Sequence, residues 1–87
     1  MIKINYQDGF VKEFKKLPLE IKQKAFELEG IFSENPFHPL LHAKKLQGKL
    51  SSFFSFRITR EYRIIYRFAS KDEVDFLAVK HRKDIYK

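Results

Sequence analysis

The sequence predicts a small α+β domain in which an N-terminal strand is followed by a two-helix hairpin and then by a three- to four-stranded antiparallel sheet. Two changes of period carry the prediction. Apolar residues recur at spacings of three and four between Phe10 and Phe32, and from Phe54 onward the spacing becomes two. Length supplies the third observation, because 87 residues leave room for one core. Residues 1–87 are therefore read as a single domain.

Each element has its own signal. Ile2 and Ile4 alternate with Lys3 and Asn5, a short strand with one wet face, and Asp8 stands where it can cap a helix. Phe10, Val11, Phe14 and Leu17 share one face of that helix. Pro18 suits a first helical turn, and Ile21, Ala25, Leu28 and Phe32 mark a second helix that ends before Asn35-Pro36. Gly30 lies inside it at a cost on the order of 1 kcal/mol relative to Ala. Residues 36 to 50 hold no sustained period and read as a long connection, the kind of loop that often carries function.

Three strands follow, around Phe54-Phe56-Ile58, Tyr62-Ile64-Tyr66-Phe68 and Val74-Phe76-Ala78, with a second turn at Ser70-Lys71-Asp72-Glu73. The length of the first turn decides which side chains share a face. A two-residue Arg60-Glu61 loop scatters aromatics over both faces. A three-residue Arg60-Glu61-Tyr62 loop pairs Ile58 with Ile64 and turns Phe54, Phe56, Ile58, Ile64, Tyr66 and Phe68 toward the helices. Arg57, Arg63 and Arg67 then share the opposite face, flanked by the loop lysines Lys44, Lys45 and Lys49 and by the tail Lys80-His81-Arg82-Lys83-Asp84-Ile85-Tyr86. The segment from Lys80 to Lys87 is expected to be free until a partner orders it.

Charge divides the chain. Up to Ala43 basic and acidic residues balance, so the whole formal excess of +7 falls from Lys44 onward, together with all the arginines. A field of one sign draws in a polyanion and speeds its encounter, and the arginine fork grips phosphate at two points. Nucleic acid or an acidic protein is the expected partner. The absence of cysteine excludes disulfides, thiolate nucleophiles and Cys-based zinc sites. It suits a reducing cytoplasm, as does the lack of an apolar signal region or of a stretch long enough to cross a membrane.

Close carboxylate pairs and a Gly-rich phosphate loop are also missing, which removes most hydrolase and nucleotide-binding signatures. Pro39 between His38 and His42 argues against a helical zinc pair, and no cofactor is expected. Arginine, lysine, histidine and tyrosine on a basic face suffice to cleave RNA, which brings its own nucleophile in the 2′-hydroxyl. The protein must align that oxygen, stabilise the phosphorane-like charge and protonate the 5′-oxygen as it leaves. His81 is the natural proton donor, or else a solvated tail histidine. Tyr86 either stacks on a base or packs on the sheet. Glu61 is a candidate base, or a turn carboxylate paired with Arg60. Arg57 and Arg63, in strand interiors, are the candidates for holding the phosphate.

The run Lys45-Leu46-Gln47-Gly48-Lys49-Leu50, the strands Phe56-Arg57-Ile58 and Tyr62-Arg63-Ile64-Ile65-Tyr66, and the tail His81-Arg82-Lys83-Asp84-Ile85-Tyr86 together resemble the RelE/ParE superfamily of type II toxin–antitoxin toxins. The resemblance covers almost the whole chain. It implies a cytoplasmic toxin neutralised by a small, partly acidic antitoxin. In the RelE and YafQ-like branch it implies a metal-independent endoribonuclease acting on mRNA, typically in the ribosomal A site. Arg57 and Arg63 then match the phosphate-holding residues of the central strands, His81 the general acid of YafQ-like members, Arg82 a tail arginine and Tyr86 the C-terminal tyrosine. Glu61 falls near a carboxylate position. The pattern departs at Ser55, where some RelE toxins carry lysine, and at Lys44, where YafQ-like toxins carry histidine. The competing expectation is a ParE-like toxin that inhibits DNA gyrase by binding, and a third is a plain nucleic-acid-binding module.

Overall fold

Alternation of Ile4 with Lys3 and Asn5 forms β1 (Lys3–Tyr6), the first element of a computed structural model that describes residues 1–50 and 52–85. Helix α1 (Asp8–Lys15) follows at once. Its N-cap is Gln7 and not Asp8, which stands in the first turn, where a carboxylate favours the positive end of the helix dipole. Helix α2 (Leu19–Glu34) starts after Pro18, buries Ala25, Leu28 and Phe32, and ends at Asn35 as the prolines ahead require. No close packing explains Gly30, since an added methyl group there would meet nothing within 4 Å.

The segment expected to be an irregular connection is partly built. It holds a 3-10 turn at Pro39–Leu41, a two-residue strand β2 (Lys44–Lys45) and a second 3-10 turn at Gly48–Leu50. Leu41 and Leu46, at 0% and 2% exposure, pin it to the body of the protein. The long strands are β3 (Phe54–Arg57), β4 (Tyr62–Ser70) and β5 (Glu73–His81), after which a 3-10 turn runs over Arg82–Asp84.

The sheet has five strands in the order β1-β5-β4-β3-β2, so the expected α+β layout holds with two additions. β1 joins it in parallel beside β5, and β2 extends the far edge. The register between β3 and β4 pairs Phe56 with Ile64 and Arg57 with Arg63, two residues from the expected pairing. Faces repeat every two residues, so the shift keeps the apolar residues against the helices, while Arg57, at the end of β3, reaches a gap beside Glu27 and Ile31 of α2. The turn is Thr59-Arg60-Glu61, closed by hydrogen bonds that the Glu61 and Tyr62 amides donate to the Thr59 hydroxyl.

Between β4 and β5 two irregularities cancel. Ala69 is extra on β4 and Leu77 is extra on β5, so that Ser70 pairs with Glu73 and, beyond both, Tyr62 pairs with His81. The bulge at Leu77 overturns the expected run Val74-Phe76-Ala78 on one face. Val74, Phe76 and Val79 enter the helix-side core, and Ala78 packs on the other side.

That core is an aromatic cluster. Phe32 from α2 stacks on Phe56 at 5.2 Å between ring centroids and meets Tyr66 edge-on at 5.0 Å and Phe76 at 5.4 Å. Each such fully buried ring contributes on the order of 1.5–3 kcal/mol from apolar burial. A second, smaller cluster of Leu46, Ile65 and Ile85 covers the middle of the opposite face. It also fixes the tail: Ile85 is 8% exposed, so the chain end, expected to be free until a partner ordered it, is held at least to that residue.

Candidate active site

β3 and β4 place Arg57 and Arg63 directly across from each other, and β5 adds Lys80 opposite Arg63. At the usual strand spacing these three positions span about 10 Å. Arg63 also feels Arg82. Partial burial first, and then the positive charges of Arg57 and Arg82, hold the Arg63 guanidinium below its ordinary pKa. Three guanidiniums crowded against their own repulsion form a site that a dianionic or more highly charged phosphate group would relieve.

One residue further along the same strands, at the end of the sheet, stand Tyr62 and His81. The His81 ring meets Tyr62 edge-on at 5.6 Å, and its Nε2 lies 3.0 Å from Glu61 Oε2. The Lys83 amide donates to His81 Nδ1 at 3.2 Å. A ring nitrogen that accepts carries no proton, so Nε2 holds the proton in this state and donates it to the Glu61 carboxylate. Glu61 thus partners His81 and not Arg60, the expected alternative. The Arg82 amide in turn donates to the Glu61 carbonyl at 2.8 Å, tying the start of the tail to the β3–β4 turn.

Arg67 shares a face with Arg63 but does not join it. Ile65, 6% exposed beneath Leu46 and Ile85, separates the two, and four residues of strand put them about 13 Å apart. Arg67 instead donates from Nε to Asp75 Oδ2 at 3.1 Å. Hydrogen bonds from the Asn5 amide, and then from Arg67, hold the Asp75 carboxyl below its ordinary range. The continuous basic face expected from the alternation is therefore divided by an apolar ridge.

Lys44 and Lys45 lie exposed on β2 at the far edge, three strand spacings or about 14 Å from β5. Lys49 belongs to the Gly48–Leu50 turn, where Gly48 adopts φ 67°. Lys83 is exposed and touches the pair only through its amide. Tyr86 lies outside the described residues. Lys80, expected at the start of the tail, belongs instead to β5 and is bound at 2.6 Å to Glu13 of α1. Among the described residues no three His, Cys, Asp or Glu side chains form a metal-holding group, and no helix is long and apolar enough to cross a membrane.

Known proteins are similar to this chain. A family model for the YoeB-like toxin of bacterial type II toxin–antitoxin systems matches residues 6–83. "Toxin YoeB" of Mycobacterium bovis is 39% identical over 59 residues, 68% of this chain and 68% of its own length. The toxin–antitoxin complex RelBE2 from Mycobacterium tuberculosis superimposes with a TM-score of 0.77 at 28% identity, over 93% of this chain and 98% of that one. YafQ from Escherichia coli has the same fold, with a TM-score of 0.80 at 16% identity over 100% of both chains.

Proposed function

We propose, from the premise that this chain belongs to the YoeB-like family of type II toxins within the RelE/ParE superfamily, that it is a metal-independent endoribonuclease that cleaves mRNA in the cytoplasm, on the ribosomal A site. The observation that carries the reading is the His81–Glu61 pair at 3.0 Å, at the end of the sheet where Arg63 holds the neighbouring strand position and Arg82 follows His81 in the chain. Such a set can supply every group that 2′-hydroxyl attack needs.

Arg57 and Arg63 hold the scissile phosphate, and with Arg82 they offset the charge that develops on its equatorial oxygens. Glu61 takes the proton of the 2′-hydroxyl as its oxygen attacks phosphorus. His81 enters the cycle as imidazolium, with Nδ1 protonated at the expense of the Lys83 amide contact and with Glu61 offsetting the charge. Its Nε2 proton goes to the departing 5′-oxygen. The products are a 2′,3′-cyclic phosphate and a 5′-hydroxyl. Glu61 has then gained one proton and His81 has lost one, and transfer across the 3.0 Å between them resets the site.

A cognate antitoxin is the expected protein partner. The RelBE2 neighbour is itself a toxin–antitoxin complex, and the formal charge of +7 on this chain suits a partly acidic binder. Mapping of mRNA 5′ ends after brief induction, with wild type beside His81→Ala and Arg63→Ala, tests the nuclease reading. Discrete new ends that vanish in both variants are expected. Growth arrest without new ends would overturn it in favour of gyrase inhibition.

A further inference from the structure

On the helix side of the sheet, at the end of β3, a cavity of about 340 Å³ opens between α2 and the Pro39–Leu41 turn. Its size falls within the roughly 300–1,000 Å³ of small-ligand sites. Ile31 and Leu40 wall it opposite Ile58, and Glu27 and His42 stand on its border. Two features mark it as more than a packing gap. Arg57 lines it, and the Nε of Arg57 is buried without an acceptor. A donor left so costs on the order of 1–3 kcal/mol. His42, also lining it, is held at φ 48°, a backbone conformation that a residue with a Cβ rarely adopts.

We propose that this cavity seats one unstacked nucleobase of single-stranded RNA, the base next to the phosphate that Arg57 holds. The inference rests on the nuclease reading above. The chemistry of the cavity fits a base: apolar walls cover its faces, the Glu27 carboxylate accepts from a ring or exocyclic N–H, and the Arg57 Nε donates to a ring nitrogen or carbonyl. Single-stranded RNA is recognised by this combination of face contacts and edge hydrogen bonds. The position is also consistent, because Arg57 belongs both to the cavity and to the guanidinium cluster. An acidic peptide would satisfy Arg57 and Lys24, which also lines the cavity 3.8 Å from Glu27, but it would leave the apolar walls and the Glu27 carboxylate unmatched.

The test is a cycle between protein and RNA. A short RNA with a 2′-deoxy sugar at the cleavage point, which cannot react, is prepared intact and with the neighbouring nucleotide abasic. Affinities of both for wild type, Glu27→Ala and Leu40→Ala are measured by fluorescence anisotropy. Leu40 is 60% exposed and Glu27 lies on the helix surface, so neither change threatens the fold. Removal of the base is expected to weaken wild-type binding about tenfold. Each variant should weaken the intact RNA about three- to tenfold and the abasic RNA not at all. Losses that simply add would overturn the assignment while leaving the nuclease reading in place. Failure of wild type to bind the intact RNA would also overturn the assignment, and the absence of new mRNA ends on induction would overturn the nuclease reading with it.

Discussion

At the scale of single residues, what separates the arginines is the company each keeps. Arg63 faces two other guanidiniums, whereas Arg67 is neutralised by Asp75 beyond the Ile65 ridge. Glu61 accepts from His81, and Gln in its place still offers a carbonyl oxygen to the same N–H. Glu61→Gln is therefore expected to keep the fold and lower the single-turnover cleavage rate about 10²–10⁴-fold, the usual weight of a general base. A variant as fast as wild type would remove Glu61 from the reaction. Asp75 has a role in stability. Its folded pKa lies below the ordinary value of 3.8, so its stabilising effect is complete above that value and is lost as pH falls through the folded one. Urea unfolding should show wild type losing more stability than Asp75→Asn between about pH 5 and pH 2.

Elements were legible in the sequence where a period ran long enough, and illegible where geometry alone made them. The two helices and the three long strands follow from spacing. β2 has only two residues and exists because the edge of β3 offers unpaired groups, which leaves no periodic trace. The parallel partner of β1 is equally silent, since alternation marks a strand and not its neighbour. Face parity correctly placed Phe54, Phe56, Ile58, Ile64 and Tyr66 against the helices, but the Thr59 hydroxyl set the register, two residues away. The bulge at Leu77 explains why Ala78 was placed on the wrong face, and the pairing of β5 with β4 as far as His81 explains why Lys80 and His81 belong to a strand and not to the tail. Gly30 gives a prediction at this scale. With open space around it and a helical backbone, Gly30→Ala is expected to add about 0.5–1 kcal/mol, raising Tm by roughly 2–8 °C in thermal unfolding. A lowered Tm would mean that Gly30 meets a neighbour in a state not described by this fold.

Across the whole molecule, the helices and the aromatic core hold one face of the sheet rigid while the other face and the sheet's end carry the charge. Two compensating irregularities on β4 and β5 bring His81 back opposite Tyr62, and the Leu46–Ile65–Ile85 cluster anchors the tail that follows. The family resemblance named the candidate residues. Only the pairing of strands shows that Glu61 and His81, separated by 20 positions, touch, and that Arg67 stands apart. The central claim is that one end of the basic face, and not its total charge, cleaves RNA. The most direct measurement is single-turnover cleavage of mRNA in the A site of programmed ribosomes by the purified protein, comparing Arg63→Ala with Arg67→Ala, which remove the same charge from the same strand. The account predicts a loss of about 100-fold or more for Arg63→Ala, within about threefold of wild type for Arg67→Ala, and 2′,3′-cyclic phosphate ends. Equal losses in the two variants, or 3′-hydroxyl ends, would contradict it.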